Sequence, residues 1–307
     1  MGKYIVKRFF ISVVTILVLI TIVFVLVRLL PGDPFSDPLV PDEIRLRMLS
    51  YYGLDRPVLE QYGLYMKNLM QGDLGYSLRF KGRTVNRIIA DSFPYSLDLG
   101  LRALFTAAFA GLFLGITSAL NKDKKWDGLT MLIAIVGVSV PSFIMASLLQ
   151  YFLSFKLGLF PVAQYRSFMH TILPTFALSL GTLAVLARLM RTSMLDVVGM
   201  DYIKNAKAKG LSQFQITWKH QIRNAILPIV TILGMTVASL LTGTFVIENI
   251  FAIPGMGKHY VMGIQNLDYP MISGLTIVYG TFLVFSQFLV DILYGFIDPR
   301  IRVDKKN

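Results

Sequence analysis

Apolar residues run along this chain in long blocks rather than in alternation. Six blocks of roughly 19 to 27 residues stand out: Phe9 to Leu30, Leu97 to Leu120, Leu129 to Phe155, Ile172 to Met190, Ile226 to Ile247 and Ile272 to Ile297. At the helical rise of about 1.5 Å per residue, each is long enough to cross a hydrocarbon layer about 30 Å thick. Backbone groups in hydrocarbon must be satisfied within their own segment, so the pattern predicts helices; the alternation of a transmembrane barrel is absent from the sequence. Pro141, Pro174 and several glycines within the blocks permit kinks and close helix approach. The fold class expected is therefore all-α, a polytopic membrane protein with six transmembrane helices.

The polar interval between the first two blocks opens with "PGDPFSDPLVPDE", whose prolines stop the first helix. After it, "DEIRLRMLSYYGL" and "VLEQYGLYMKNLM" carry apolar residues at mixed three and four spacing and predict two short amphipathic helices. The organisation expected is a first segment and span over 1–30, an external cap over 31–96, a five-helix core over 97–297 that includes a polar loop at 191–225, and a tail over 298–307.

Charge sets the expected orientation. The short segments "GKYIVKR", "NKDKKWD", Asp201 to Pro228 and "DPRIRVDKKN" are rich in Lys or Arg and fall on one side of a six-span chain. The intervening loops are poorer in basic residues for their length, which predicts that both termini are cytoplasmic. The formal net charge of +12 raises nucleic acid as a partner, but the lysines and arginines lie beside apolar spans, where they act as topology signals and meet anionic head groups. With 54% hydrophobic residues, a soluble core with a polar surface is excluded as the simple reading. The absence of cysteine removes disulfides and thiol chemistry. The first block follows a basic start, is longer than a signal-peptide core and lacks a small-residue cleavage site, so it is expected to be retained.

Catalytic chemistry is not written in the chain. There is no H-E-x-x-H and no G-x-S-x-G; His170, His220 and His259 are isolated and no metal site is expected. In "IPGMGKHY", Ala252 stands where a phosphate loop needs its first glycine and His259 where it needs Ser or Thr. If ATP drives this protein, another chain binds it. Charges near or within the spans are Arg28, Asp98, Arg102, Arg188, Glu248 and Asp291. Arg28, Arg188 and Glu248 sit at span ends, where snorkelling accounts for them; Asp98 and Arg102 are placed to pair at i, i+4; Asp291 is deeper, open to packing or to a polar pathway.

The stretch "DYIKNAKAKGLSQFQITWKHQIRNAILP" is the most informative. Asp201 is placed to cap a helix ending in Lys207 and Lys209, with Gly210 at the left-handed stop. Ser212 and Gln215 have capping-box spacing, flanked by Leu211 and Ile216 at staple positions. In the second helix Phe214, Trp218 and Ile222 form an apolar face opposite Lys219 and Arg223, able to rest on the bundle or the membrane interface. Ala206, Ala208 and Gly210 are expected to face the cytoplasm as a small-residue knob for a groove on a partner protein; an interfacial helix on acidic lipid is the other reading of the same pattern.

This stretch resembles the cytoplasmic coupling loop, the EAA motif, of permease subunits of bacterial ABC importers, and "AKAKGLS" followed by "RNAILP" resembles its oligopeptide and dipeptide branch. "PGDP", "GLDRPVLEQY", "GDLGYSL", "IENIFAIPGMG" and "DPRIR" resemble segments of that branch in the same order, so the likeness covers nearly the whole chain. Lys204, Asn205 and Ala206 stand at the Glu-Ala-Ala places, so only the alanine and Gly210 match there. The resemblance implies a type I ABC importer permease fold in the bacterial cell membrane. It implies a non-catalytic transport subunit that works with a second homologous permease, two cytoplasmic ATP-binding subunits and an extracellular or periplasmic peptide-binding protein. It implies no cofactor on this chain, with ATP and Mg bound by the partner ATPases, and places ATPase coupling on Asp201, Tyr202, Ala206, Ala208, Lys209, Gly210, Leu211 and Ser212. Peptides are the implied cargo, with nickel chelates, glutathione or haem as alternatives in the same branch. A six-span channel without an ATPase is the reading from another class.

Overall fold

A computed structural model describes residues 2–29, 50, 53, 56–80, 82–242 and 244–297. The helices are α1 (Gly2–Leu29), α2 (Val58–Met70), α3 (Val85–Leu120), α4 (Lys125–Ser139), α5 (Ser142–Leu149), α6 (Phe168–Val198), α7 (Asp201–Ala208), α8 (Gln213–Ile216), α9 (Ile222–Ala225), α10 (Leu227–Thr242), α11 (Thr244–Ile250), α12 (Met256–Gln265) and α13 (Tyr269–Ile297). Wider π-type turns follow α5 over Gln150–Lys156 and join α8 to α9 over Thr217–Gln221.

Among the described residues, α1, α3, α6 and the Tyr269–Ile292 part of α13 are each long and apolar enough to cross a membrane. The expected span Leu129 to Phe155 is not straight: it divides into two arms bent by 108° at Pro141. Val140, held extended at φ −95° and ψ 118°, takes the conformation favoured before a proline, and the α4 ladder stops there. Pro94 and Pro174 lie inside continuous helices. The block 226–247 becomes α10 and α11; the 16 residues of α10 reach about 24 Å, less than a span on their own. Of the two amphipathic helices expected between the first spans, α2 is present, and the one over 42–54 and the tail 298–307 lie outside the described residues, apart from isolated positions.

The chain forms two compact units, Met1–Pro94 with Gly255–Phe288, and Tyr95–Pro254 with Leu289–Asn307. The segment 255–288 therefore groups with the N-terminal part rather than with the remainder of the expected core. In the first unit, Ile20 and Val23 of α1 pack with Ile277 of α13 and with Tyr65 and Met66 of α2. Gly280 lies directly against the Leu19 side chain, whose end would have to turn aside to admit a Cβ there. Arg28 anchors the end of α1: it lies over the Phe24 ring and donates to Gln61 of α2. A short loop closes on itself through an antiparallel bridge between Tyr76 and Thr84, and its Ser77 hydroxyl and Arg79 N–H donate to buried Asp268 at the head of α13.

In the second unit α6 is the central helix. Gly111 and Gly115 of α3 lie against it so closely that a Cβ on Gly115 would sit 2.6 Å from the Ala187 carbonyl oxygen. Gly137 of α4 makes the same kind of approach to Leu180 and Ala184. Small residues thus let backbones meet, which is how helices associate where lipid removes the hydrophobic drive.

Candidate functional site

The hairpin 201–225 is built by local signals and then seated by packing. α7 begins after Met200, which occupies the extended cap position, so Asp201 is the first helical residue and not the cap; it pairs with Lys204 at 2.9 Å. An acidic first turn still favours the helix dipole. At the other end Gly210, at φ +74°, donates to the Lys207 carbonyl at 3.0 Å, and Leu211 donates to the Ala206 carbonyl at 3.3 Å. These two bonds are the Schellman pair, and they require a residue at ease in the left-handed region. Ser212 and Gln215 then bond reciprocally as the predicted capping box.

Packing assigns the faces. Ile203, Ala206, Ile216 and Ala225 are buried in one cluster with Met190, Met194 and Val197 of α6, and Leu211 packs against it. Ala206 is only 5% exposed, so it belongs to the seat of the hairpin and not to the outward knob expected from sequence. Asp201, Tyr202, Ala208, Lys209, Gly210 and Ser212 are exposed, and no side chain or backbone atom lies within 4 Å of where a Gly210 Cβ would be. Of the two supports expected for the Phe214, Trp218 and Ile222 face, the bundle takes Ile222 alone. Ile216, Thr217, Gln221 and Ala225 face inward, while Phe214 and Trp218 are 71% and 59% exposed, their rings 6.1 Å apart. The smaller side chains allow close seating on α6, and the π-type turn over Thr217–Gln221 resets the phase between α8 and α9.

Above this seat lies a charged clamp that the spacing of sequence motifs does not reveal. Asp127 of α4, 5% exposed, accepts from Arg191 Nε at 2.6 Å and Nη2 at 2.8 Å, from the Ser118 hydroxyl of α3 and from the Asp123 N–H at 3.0 Å. Four donors satisfy the buried carboxylate, and the pair ties α3 and α4 to α6 about two turns before α6 ends at Val198 and leads into the hairpin. The hairpin is thus fixed to α6 by apolar packing, and α6 is fixed to its neighbours by the clamp.

The other span charges are distributed. Asp98 pairs with Arg102 at 2.8 Å as expected and also accepts from Tyr165. Burial, then the neighbouring carboxylate, pushes the Tyr165 hydroxyl above its ordinary range. Arg188 is exposed and Asp291 half-buried. Glu248 is fully buried, so it does not snorkel from a span end. Among the described residues no group of three or more acidic or histidine side chains is placed to hold a metal.

Comparison with known proteins gives consistent results. The family model described as "Binding-protein-dependent transport system inner membrane component" matches residues 111–303, and the model "Binding-prot-dependent transport system membrane comp, N-term" matches residues 1–100. The chain is 45% identical, over the full length of both, to the dipeptide transport system permease protein DppB of Bacillus subtilis (strain 168). It is 41% identical to the oligopeptide transport system permease protein OppB of Haemophilus influenzae, covering 98% of this chain and all of that one. Among solved structures, an inward-facing form of the MetNI methionine ABC transporter superposes with a TM-score of 0.56 at 17% identity, covering 69% of this chain and 96% of that one. An amino acid ABC transporter with histidines gives 0.52 at 16% identity, covering 70% and 94%. At such identities the structural likeness speaks to the fold alone, one shared with chains of these two ABC transporters.

Proposed function

The chain belongs to the family of binding-protein-dependent transport system inner membrane components, and from that premise we propose that it is one transmembrane half of an ATP-driven importer of peptides. The relatives named for dipeptide and oligopeptide transport, aligned over essentially the whole chain, support peptides as cargo. The observation that carries the mechanism is the hairpin 201–225, whose inner face is packed on α6 and whose outer face is left open.

In this reading the outer face, with Asp201, Tyr202, Ala208, Lys209, Gly210 and Ser212, docks in a groove of a cytoplasmic ATPase, and Leu211 and Ala206 hold it from within. When two ATPases close on ATP and Mg, the hairpin moves as a rigid body with α6. The Asp127–Arg191 clamp passes that movement to α4 and α3, and the pathway changes its access. A second homologous permease forms the other half, and an external binding protein delivers the peptide. Both termini are on the ATPase side, and this chain carries no catalytic step of its own.

The test is uptake by proteoliposomes holding the complete complex and its binding protein. Labelled dipeptides and longer peptides are expected to accumulate with ATP, and a chelated nickel ion, glutathione or haem not. Accumulation of one of those three without peptide would reassign the cargo; ion conductance by this chain alone would favour a channel.

A further inference from the structure

Within the second unit a cavity of about 420 Å³ opens at the bend between α4 and α5. Gly137, Val140 and Ser142 line it from the bend, and Ala177, Gly181 and Thr182 from α6. No charged side chain contributes to its wall. Val138 and Val185, also in the wall, are exposed on the face of the unit. The volume lies within the range of about 300–1,000 Å³ usual for small-ligand sites.

The bend leaves backbone groups of both polarities here. The Val136 carbonyl accepts the last α4 bond, from Val140 at 2.9 Å. The Gly137 carbonyl has no helical donor, because the residue four places on is Pro141. The Val138 carbonyl would need the Ser142 N–H, which the 108° turn has carried into α5. On the far side of the break, Ile144 and Met145 both donate to the Pro141 carbonyl, at 3.0 and 3.1 Å, and no side chain caps α5. The first-turn N–H groups of Ser142 and Phe143 are therefore without a helical acceptor. Among the described residues the hydroxyls of Ser142 and Thr182 also make no hydrogen bond.

Unpaired backbone at membrane depth is costly, and it persists where it borders a hydrated cavity or meets a ligand. A row of carbonyls followed within one turn by free N–H groups, on an otherwise small and uncharged wall, complements a main-chain amide, which offers one donor and one acceptor whatever its side chain. Resting on the peptide-import reading, we propose that the groove at the Val140–Pro141 bend is a cargo-contact site that takes the main chain of a transiting peptide and leaves its side chains unread.

The experiment uses the complete complex in proteoliposomes, with a photoreactive benzoylphenylalanine at position 138 or 185 and, as control, at Phe109 on the exposed side of α3. With ATP and binding protein, a labelled tripeptide is expected to attach at 138 and 185 and not at 109. Attachment of lipid or of the second permease alone at 138 and 185, under conditions where the peptide is imported, would overturn the groove and leave the peptide reading standing. No import of peptide by the unmodified complex would overturn both. In parallel, Gly181→Leu projects a side chain into the cavity, its Cβ meeting only the Gly137 carbonyl oxygen, at 3.6 Å. It is expected to lower peptide uptake about tenfold or more while binding-protein-stimulated ATP hydrolysis persists; unchanged uptake would count against the site.

Discussion

Arg191 grips Asp127 with two nitrogens, Nε at 2.6 Å and Nη2 at 2.8 Å, across 64 residues of sequence. Both side chains are largely buried. Removing one partner of such a pair leaves a charge stranded in a dry setting, whereas removing both does not. Asp127→Ala or Arg191→Ala should each destabilise the protein by about 3 kcal/mol or more. The double variant should lose less than the sum of the two. Thermal unfolding of the purified protein in detergent measures this, and additive losses would show that the clamp carries no coupling.

Helix contact through Gly115 gives a second expectation. A Cβ there would lie 2.6 Å from both the Ala187 carbonyl oxygen and the Met190 Cβ, so α3 and α6 must separate to admit it. Gly115→Val should cost about 1–3 kcal/mol or abolish accumulation of folded protein. Gly128→Ala, with open space around its Cβ, should be near neutral by fluorescence-detected size-exclusion chromatography.

The capping box is testable locally. Ser212→Ala removes the acceptor for the Gln215 N–H, at 3.3 Å, and should cost about 1 kcal/mol. Faster amide exchange confined to the residues following 212 is the expected signature, with α7 unaffected.

His259 gives a pH dependence. It is half-buried against Phe80, and burial first, then the Lys258 and Arg83 charges, lower its pKa from the ordinary 6.5. Because protonation is easier in the unfolded chain, its contribution is fully present above about pH 6.5 and is lost as pH falls from there through the folded-state pKa. Thermal unfolding midpoints should fall between pH 6.5 and 5 in the parent protein, and fall less in His259→Phe.

What was legible in the sequence was local. Gly210 as the stop and Ser212 with Gln215 as the box are set within a few residues, where the backbone itself dictates the chemistry. The cap was misplaced by one residue because Met200 takes the extended position, and an acid at the first helical position gives much the same sequence signal as an acid at the cap. The facing of Ala206 was not legible, nor which of the two supports Phe214 and Trp218 would take: burial depends on what α6 presents, and the π-type turn shifts phase in a way that four-residue spacing cannot anticipate. The partners of Asp127 and Arg191 lie too far apart for any periodicity to join them. Pro141 and Pro174 look alike in the chain, yet one breaks its helix and the other is absorbed.

The most direct measurement is recovery of partners by a tagged copy of this chain from its native membrane, comparing the parent with Gly210→Val and Gly210→Asn. Valine is strained at φ +74° and asparagine tolerates that region. The account predicts that a second permease is recovered in all three, that P-loop ATPases accompany the parent and the asparagine variant, and that they are depleted with valine. ATPases recovered equally with all three, or absent from the parent while the second permease is retained, would contradict the assignment of the 201–225 hairpin as the coupling element.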